Sequence, residues 1–86
     1  MREAENELKG APSVVVYSRR GCHLCDEARE LLRRHEIVPT VVDIDSDPDL
    51  RQQFDASVPV VEINGRIRFR GSVDPVLLRR ILDSSK

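Results

Sequence analysis

The chain has no tryptophan, one tyrosine and two phenylalanines, so stacked rings cannot make its core. Valine, leucine and isoleucine must fill the interior, and 86 residues leave too little for a second one. No apolar run approaches the roughly 18 residues that a membrane span needs. The first nine residues intersperse charged and polar residues throughout and lack the apolar stretch of a secretory signal, so a cytoplasmic protein is expected. Charge of one sign is also missing, because the net charge is −1 with acids and bases interspersed. That balance excludes the strongly basic face of a nucleic-acid binder and the acidic composition of a disordered chain. Two cysteines are too few for the disulfide scaffold of a small secreted protein.

What is present has a clear order. Residues 1–12 end in Gly10-Ala11-Pro12 and are expected to form a flexible tail, with a single domain over residues 13–86. Val14-Val15-Val16 is a β-branched run of the kind that forms a strand buried on both faces, from Ser13 to Tyr17. Arg19-Arg20-Gly21 is a loop. From Cys22 to about His35 the apolar residues Leu24, Ala28, Leu31 and Leu32 make one helical stripe. Acids come early in this segment and Arg33, Arg34 and His35 late, in agreement with the helix dipole. Thr40 to Ile44 reads as a second strand. Asp47-Pro48 reads as a cap and first position of a short helix ending near Phe54 to Ala56.

Val58-Pro59 opens a strand over Val60 to Ile63, and Asn64-Gly65 is a two-residue hairpin signal. The return strand, Arg66 to Arg70, alternates, with Ile67 and Phe69 expected on one face and Arg66, Arg68 and Arg70 on the other. Asp74-Pro75 starts a last helix with the stripe Leu77, Leu78, Ile81 and Leu82. The order β-α-β-α-β-β-α predicts an α/β fold with a four-stranded mixed sheet between helices. Its first two strands should be parallel and its last two antiparallel.

Cys22 and Cys25 fall where the first strand ends and its helix begins, the edge at which open α/β sheets gather their sites. Thiol–disulfide exchange needs a thiolate, and a helix N-terminus offers amide donors and a positive dipole end that favour one. Cys22 sits at that end, and Cys25 lies one turn deeper on the same side. The spacing assigns attack to Cys22 and resolution of the mixed disulfide to Cys25. Arg19, Arg20 and a protonated His23 are expected to add positive charge, with Asp26 and Glu27 opposing them. A shared zinc site is the competing use of such a pair, but no second Cys-x-x-Cys or Cys-x-x-His pair exists in the sequence. The Arg66, Arg68, Arg70 row suits edge-strand protection, and Arg70 is a candidate grip for an anionic substrate.

These features together resemble the glutaredoxin branch of the thioredoxin fold, over Ser13 to Asp83. The residues that carry the likeness are Tyr17-Ser18-Arg19-Arg20-Gly21-Cys22-His23-Leu24-Cys25, Val58-Pro59, Ile63-Asn64-Gly65-Arg66, and Gly71 with Asp74. Cys-His-Leu-Cys followed by Asp26-Glu27-Ala28 is similar to a glutaredoxin-like subfamily, not to dithiol glutaredoxins with Cys-Pro-Tyr-Cys. The resemblance implies a three-layer thioredoxin-like fold, a cis bond at Val58–Pro59 facing the cysteines, and reduction of protein or low-molecular-weight disulfides. It implies substrate contacts at Arg20, His23, Val58, Pro59, Arg70, Gly71, Ser72 and Asp74. No tightly bound cofactor is expected, and either glutathione or a thioredoxin reductase system would serve as reductant. Arg70 stands where the family has the first glycine of a pair, and Val73 where it has a hydroxyl residue, which weakens the implied glutathione site. The alternative is a thioredoxin-fold binding module whose cysteines hold a metal or iron–sulfur cluster, or act as a redox-sensitive contact.

Overall fold

A computed structural model describes residues 12–84, so the expected tail lies outside the described residues apart from Pro12. The elements are β1 (Val14–Ser18), α1 (His23–Arg34), β2 (Thr40–Asp43), α2 (Pro48–Phe54), β3 (Val60–Ile63), β4 (Arg66–Arg70) and α3 (Pro75–Ser84). The strands form one sheet in the order β2-β1-β3-β4. β1 and β2 are parallel, and the β1–β3 and β3–β4 pairs are antiparallel. This is the β-α-β-α-β-β-α fold of the thioredoxin and glutaredoxin class, with a four-stranded mixed sheet.

The local signals explain these boundaries. Asp47 caps α2 by accepting the Asp49 amide at 2.9 Å, and Pro48 loses nothing at a position whose N–H has no helical partner. Asn64 and Gly65 take φ values of 53° and 84°, the doubly positive pair that lets a two-residue turn follow the twist of its strands. A Cβ at Gly65 would meet no atom within 4 Å, so only the backbone strain counts against one. Gly65→Ala should therefore cost about 1–2 kcal/mol, read from the urea midpoint, with the hairpin otherwise kept.

Packing divides the sheet into two unequal faces. On one, Val14, Val16, Val61, Ile63 and Phe69 meet Leu32 of α1 and Leu78 and Ile81 of α3. On the other, Val60, Ile44 and Phe54 of α2 form a smaller cluster with Tyr17, Leu50 and Val58 against it. Because α2 is short, it does not cover that face, and Val15 is only half-buried, against the expectation of burial on both sides. Tyr17 Oη donates to Glu62 Oε1 at 2.8 Å on this thinly covered face. That bond, with some burial, raises the tyrosine hydroxyl's pKa above its ordinary value.

Three further expectations are corrected. β2 stops at Asp43, and Ile44 begins a 3-10 turn to Ser46 that buries its side chain fully. A bulge in β4 sets Phe69 opposite Val61 and Ile67 opposite Glu62, so the two apolar residues point to opposite faces. Phe69 is buried and Ile67 is exposed. Leu24 and Leu77, expected in helix stripes, are 45% and 43% exposed, each in the first turn of its helix.

Candidate functional site

β1 delivers the chain to the loop 19–21, where Gly21 adopts φ 78° and turns it into α1. The Cys22 amide donates to the Arg19 carbonyl at 3.3 Å, closing that loop. Cys22 is the N-cap of α1: its backbone is extended, its carbonyl accepts the Asp26 amide, and its Sγ accepts the Cys25 amide at 3.1 Å. An amide donor aimed at sulfur favours the thiolate over the thiol. Cys22 is partly exposed, whereas Cys25 is 2% exposed on the face of α1 that also carries Ala28 and Leu32. The two residues stand as a disulfide pair with Cα atoms 5.2 Å apart. Cys25 thus joins the apolar stripe of α1, because a cysteine packs as a small hydrophobe and its spacing to Ala28 fits.

The charges around the pair are arranged differently from the expectation. Arg19 contributes little positive charge to Cys22, because Asp45 and Asp55 hold its guanidinium. Those bonds raise the Arg19 pKa further and keep the Asp45 carboxyl below its ordinary value. Asp26, expected to oppose a thiolate, is paired with Arg29 at 2.7 Å. Arg20 and His23 are exposed, with no ion pair among the described residues.

The second wall of the site comes from the far half of the chain. The Val58–Pro59 bond is cis, and Pro59 is buried while Val58 is half-buried. The Pro59 carbonyl accepts the Gly71 amide at 2.9 Å, which ties this bend to the turn before α3. Gly71 has φ 87°, a conformation that favours glycine. Asp74 Oδ1 accepts the Val76 and Leu77 amides at 2.9 and 3.3 Å and so caps α3. The amides of Ser72, Val73 and Asp74 make no hydrogen bond to another described residue. Arg70 does not overhang this turn: its Cζ lies 5.6 Å from the centre of the Phe54 ring, on the α2 side. A groove lined by Leu24, Glu27, Ala28, Leu31, Ser72 and Val73 joins the start of α1 to the turn. Its apolar wall comes from Leu24, which the helical stripe alone would send to the core, and from Val73, which no local signal ties to Leu24.

Residues 13–83 match the glutaredoxin-like domain (DUF836) family. The chain belongs to this family. It is 32% identical over 81 residues to glutaredoxin-C1 of Oryza sativa subsp. japonica, spanning 84% of this chain and 77% of that protein. Among solved structures, a structural genomics target from X. campestris is 32% identical, with a TM-score of 0.73 over 84% of this chain and 97% of that one. The holo form of glutaredoxin C1 from Populus tremula x tremuloides is 25% identical, with a TM-score of 0.65 over 98% and 96% of the two chains. A glutaredoxin-like chain with its Cys-x-x-Cys pair at disulfide distance is equipped for thiol–disulfide redox chemistry.

Proposed function

We propose that the protein is a dithiol oxidoreductase that reduces disulfides or mixed disulfides by ping-pong exchange. The observation that carries this is the division of labour at the start of α1. Cys22 is reachable and its sulfur receives an amide donor, while Cys25 is sealed behind it. In the reduced protein the Cys22 thiolate attacks a substrate sulfur, forms a mixed disulfide and expels the first substrate thiolate, which takes up a proton. Cys25 then loses its proton and attacks Cys22 Sγ. The second substrate thiol leaves, and the protein keeps the Cys22–Cys25 disulfide. Two electrons pass from the dithiol to the substrate, and a thiol reductant restores them. Mixing the reduced protein with bis(2-hydroxyethyl) disulfide should release two thiols per protein and oxidise both cysteines. Release of one thiol, with a lasting adduct, contradicts a resolving role for Cys25.

The site surround supports Arg20, His23, Val58, Pro59, Gly71, Ser72 and Asp74 as the substrate-facing set. The half-buried Val58 beside the cis bond can accept an extended chain as a short added strand, and Arg20 and His23 flank the sulfur that it would bring. The motif Cys-His-Leu-Cys-Asp-Glu-Ala supports a kinship with a glutaredoxin-like subfamily distinct from the Cys-Pro-Tyr-Cys enzymes. Candidate reductants are glutathione and a thioredoxin reductase system.

Glutathione should bind weakly here. The amides of Ser72, Val73 and Asp74, unpartnered among the described residues, can still receive a carboxylate. Val73, however, has no hydroxyl, and a lost contact of that kind to a charged group costs about 1.5–3 kcal/mol. Arg70 offsets little of this, since an exposed arginine–carboxylate pair is worth up to about 1 kcal/mol and its guanidinium lies over Phe54. Arg70→Gly combined with Val73→Thr should raise the rate of deglutathionylation of a small mixed disulfide by about tenfold, at about 1.4 kcal/mol per decade. No gain from the double variant, with rapid turnover by the natural protein, contradicts this reading.

A further inference from the structure

Arg19 lies three residues before Cys22, gives its carbonyl to the Cys22 amide, and lines a polar cleft that reaches Cys25. A cation in that place would be the natural partner of an anionic substrate. Its guanidinium is occupied instead. Nε and Nη2 donate to the two oxygens of Asp45 at 3.1 and 2.8 Å, the two-pronged geometry that a guanidinium matches best. Nη1 donates to the Asp55 carbonyl at 3.0 Å, and Nη2 lies 3.0 Å from the Asp55 carboxylate. The partners are 26 residues away in the 3-10 turn and 36 residues away just past α2, so the arrangement is tertiary and not a local accident. Arg51 also acts on Asp45, so the two carboxylates face a second cation besides Arg19. Arg20, the next residue, is exposed and has no ion pair among the described residues.

We propose that the Asp45–Arg19–Asp55 cluster sets the charge preference of the redox site by withholding Arg19 from the approaching substrate. Resting on the reading of the chain as a disulfide reductase, this lowers the site's preference for anionic low-molecular-weight disulfides and leaves Arg20 as its working cation. Arg19 is then a specificity residue held in reserve. A purely mechanical strut for the 19–21 loop would slow all reagents alike and leave charge discrimination unmoved.

The test alkylates Cys22 of the fully reduced proteins with iodoacetate and, separately, with neutral iodoacetamide at low salt. Both reagents consume the same thiolate, so the ratio of their rates cancels thiolate fraction and access and reads the local charge. Asp45→Asn with Asp55→Asn frees Arg19 and should raise the iodoacetate-to-iodoacetamide ratio by about threefold or more, with the gain shrinking as salt is added. Adding Arg19→Gln to those two changes should abolish the gain, while Arg19→Gln alone should leave the ratio within about twofold of the natural protein. An unchanged ratio in the double variant overturns the proposal. A gain that survives Arg19→Gln also overturns it, because loss of two negative charges would then account for the whole effect. Should circular dichroism show the double variant unfolded, Asp45→Asn alone removes the two-pronged partner and should raise the ratio, and adding Arg19→Gln should again abolish that gain. Alkylation needs no turnover, so failure to reduce disulfides would strike the functional reading and leave this result standing on its own.

Discussion

Cys22→Ser should abolish disulfide reduction, whereas Cys25→Ser should retain the first exchange and accumulate a mixed disulfide with the substrate. The asymmetry follows from where the helix begins. Only the capping sulfur can combine exposure with an amide donor, since the second cysteine has already turned into the face that packs on the sheet. Without Cys22 the remaining thiol is 2% exposed and presents no sulfur to a bulky disulfide. Without Cys25 the adduct has no neighbouring nucleophile and persists until an external thiol removes it. Mass spectrometry of the two variants after incubation with a disulfide reads both outcomes. Equal adduct formation by the two variants contradicts the assignment.

Leu32→Ala should cost about 2–5 kcal/mol, a large part of the roughly 4–13 kcal/mol expected for a chain of this length. Leu32 is fully buried where α1 meets Val16, Val61 and Leu78, so truncation leaves a cavity on the larger face of the sheet. Few aromatic residues are available to collapse into it. The same helix face carries Cys25 and Ala28, and loosening it should also increase alkylation of Cys25 in the reduced protein. Leu24→Ala, at a position 45% exposed, should cost well under half as much. Urea unfolding of the two variants checks the contrast, and equal losses would show that α1 is not anchored through Leu32.

Much of this was legible in the sequence because local chemistry and tertiary packing agree. Asp47-Pro48, Asp74-Pro75 and Asn64-Gly65 each prescribe a backbone conformation, and each appears where prescribed. The place of Cys22 at a helix start followed from a β-branched run, a glycine and an apolar stripe in succession. What could not be read was set by distant partners. The β4 bulge depends on how Phe69 meets Val61, which no alternation rule contains. Arg19 looked like a free cation beside Cys22, because its two aspartates lie 26 and 36 residues further on. Arg70 leaning on Phe54 is hidden for the same reason. The end of α1 is a different case. Glu36 takes φ 62° with no glycine to announce it, letting the amides of His35 and Ile37 both reach the Leu32 carbonyl at 3.0 Å.

The claim on which the account turns is that the two thiols are unequal. Its most direct measurement is the order of alkylation of the natural protein, fully reduced and treated with limiting iodoacetamide at neutral pH, then mapped by peptide mass spectrometry. Modification of Cys22 well before Cys25 is the result expected from an amide-supported, reachable sulfur in front of a buried one. Equal labelling of both residues, or Cys25 reacting first, would contradict it.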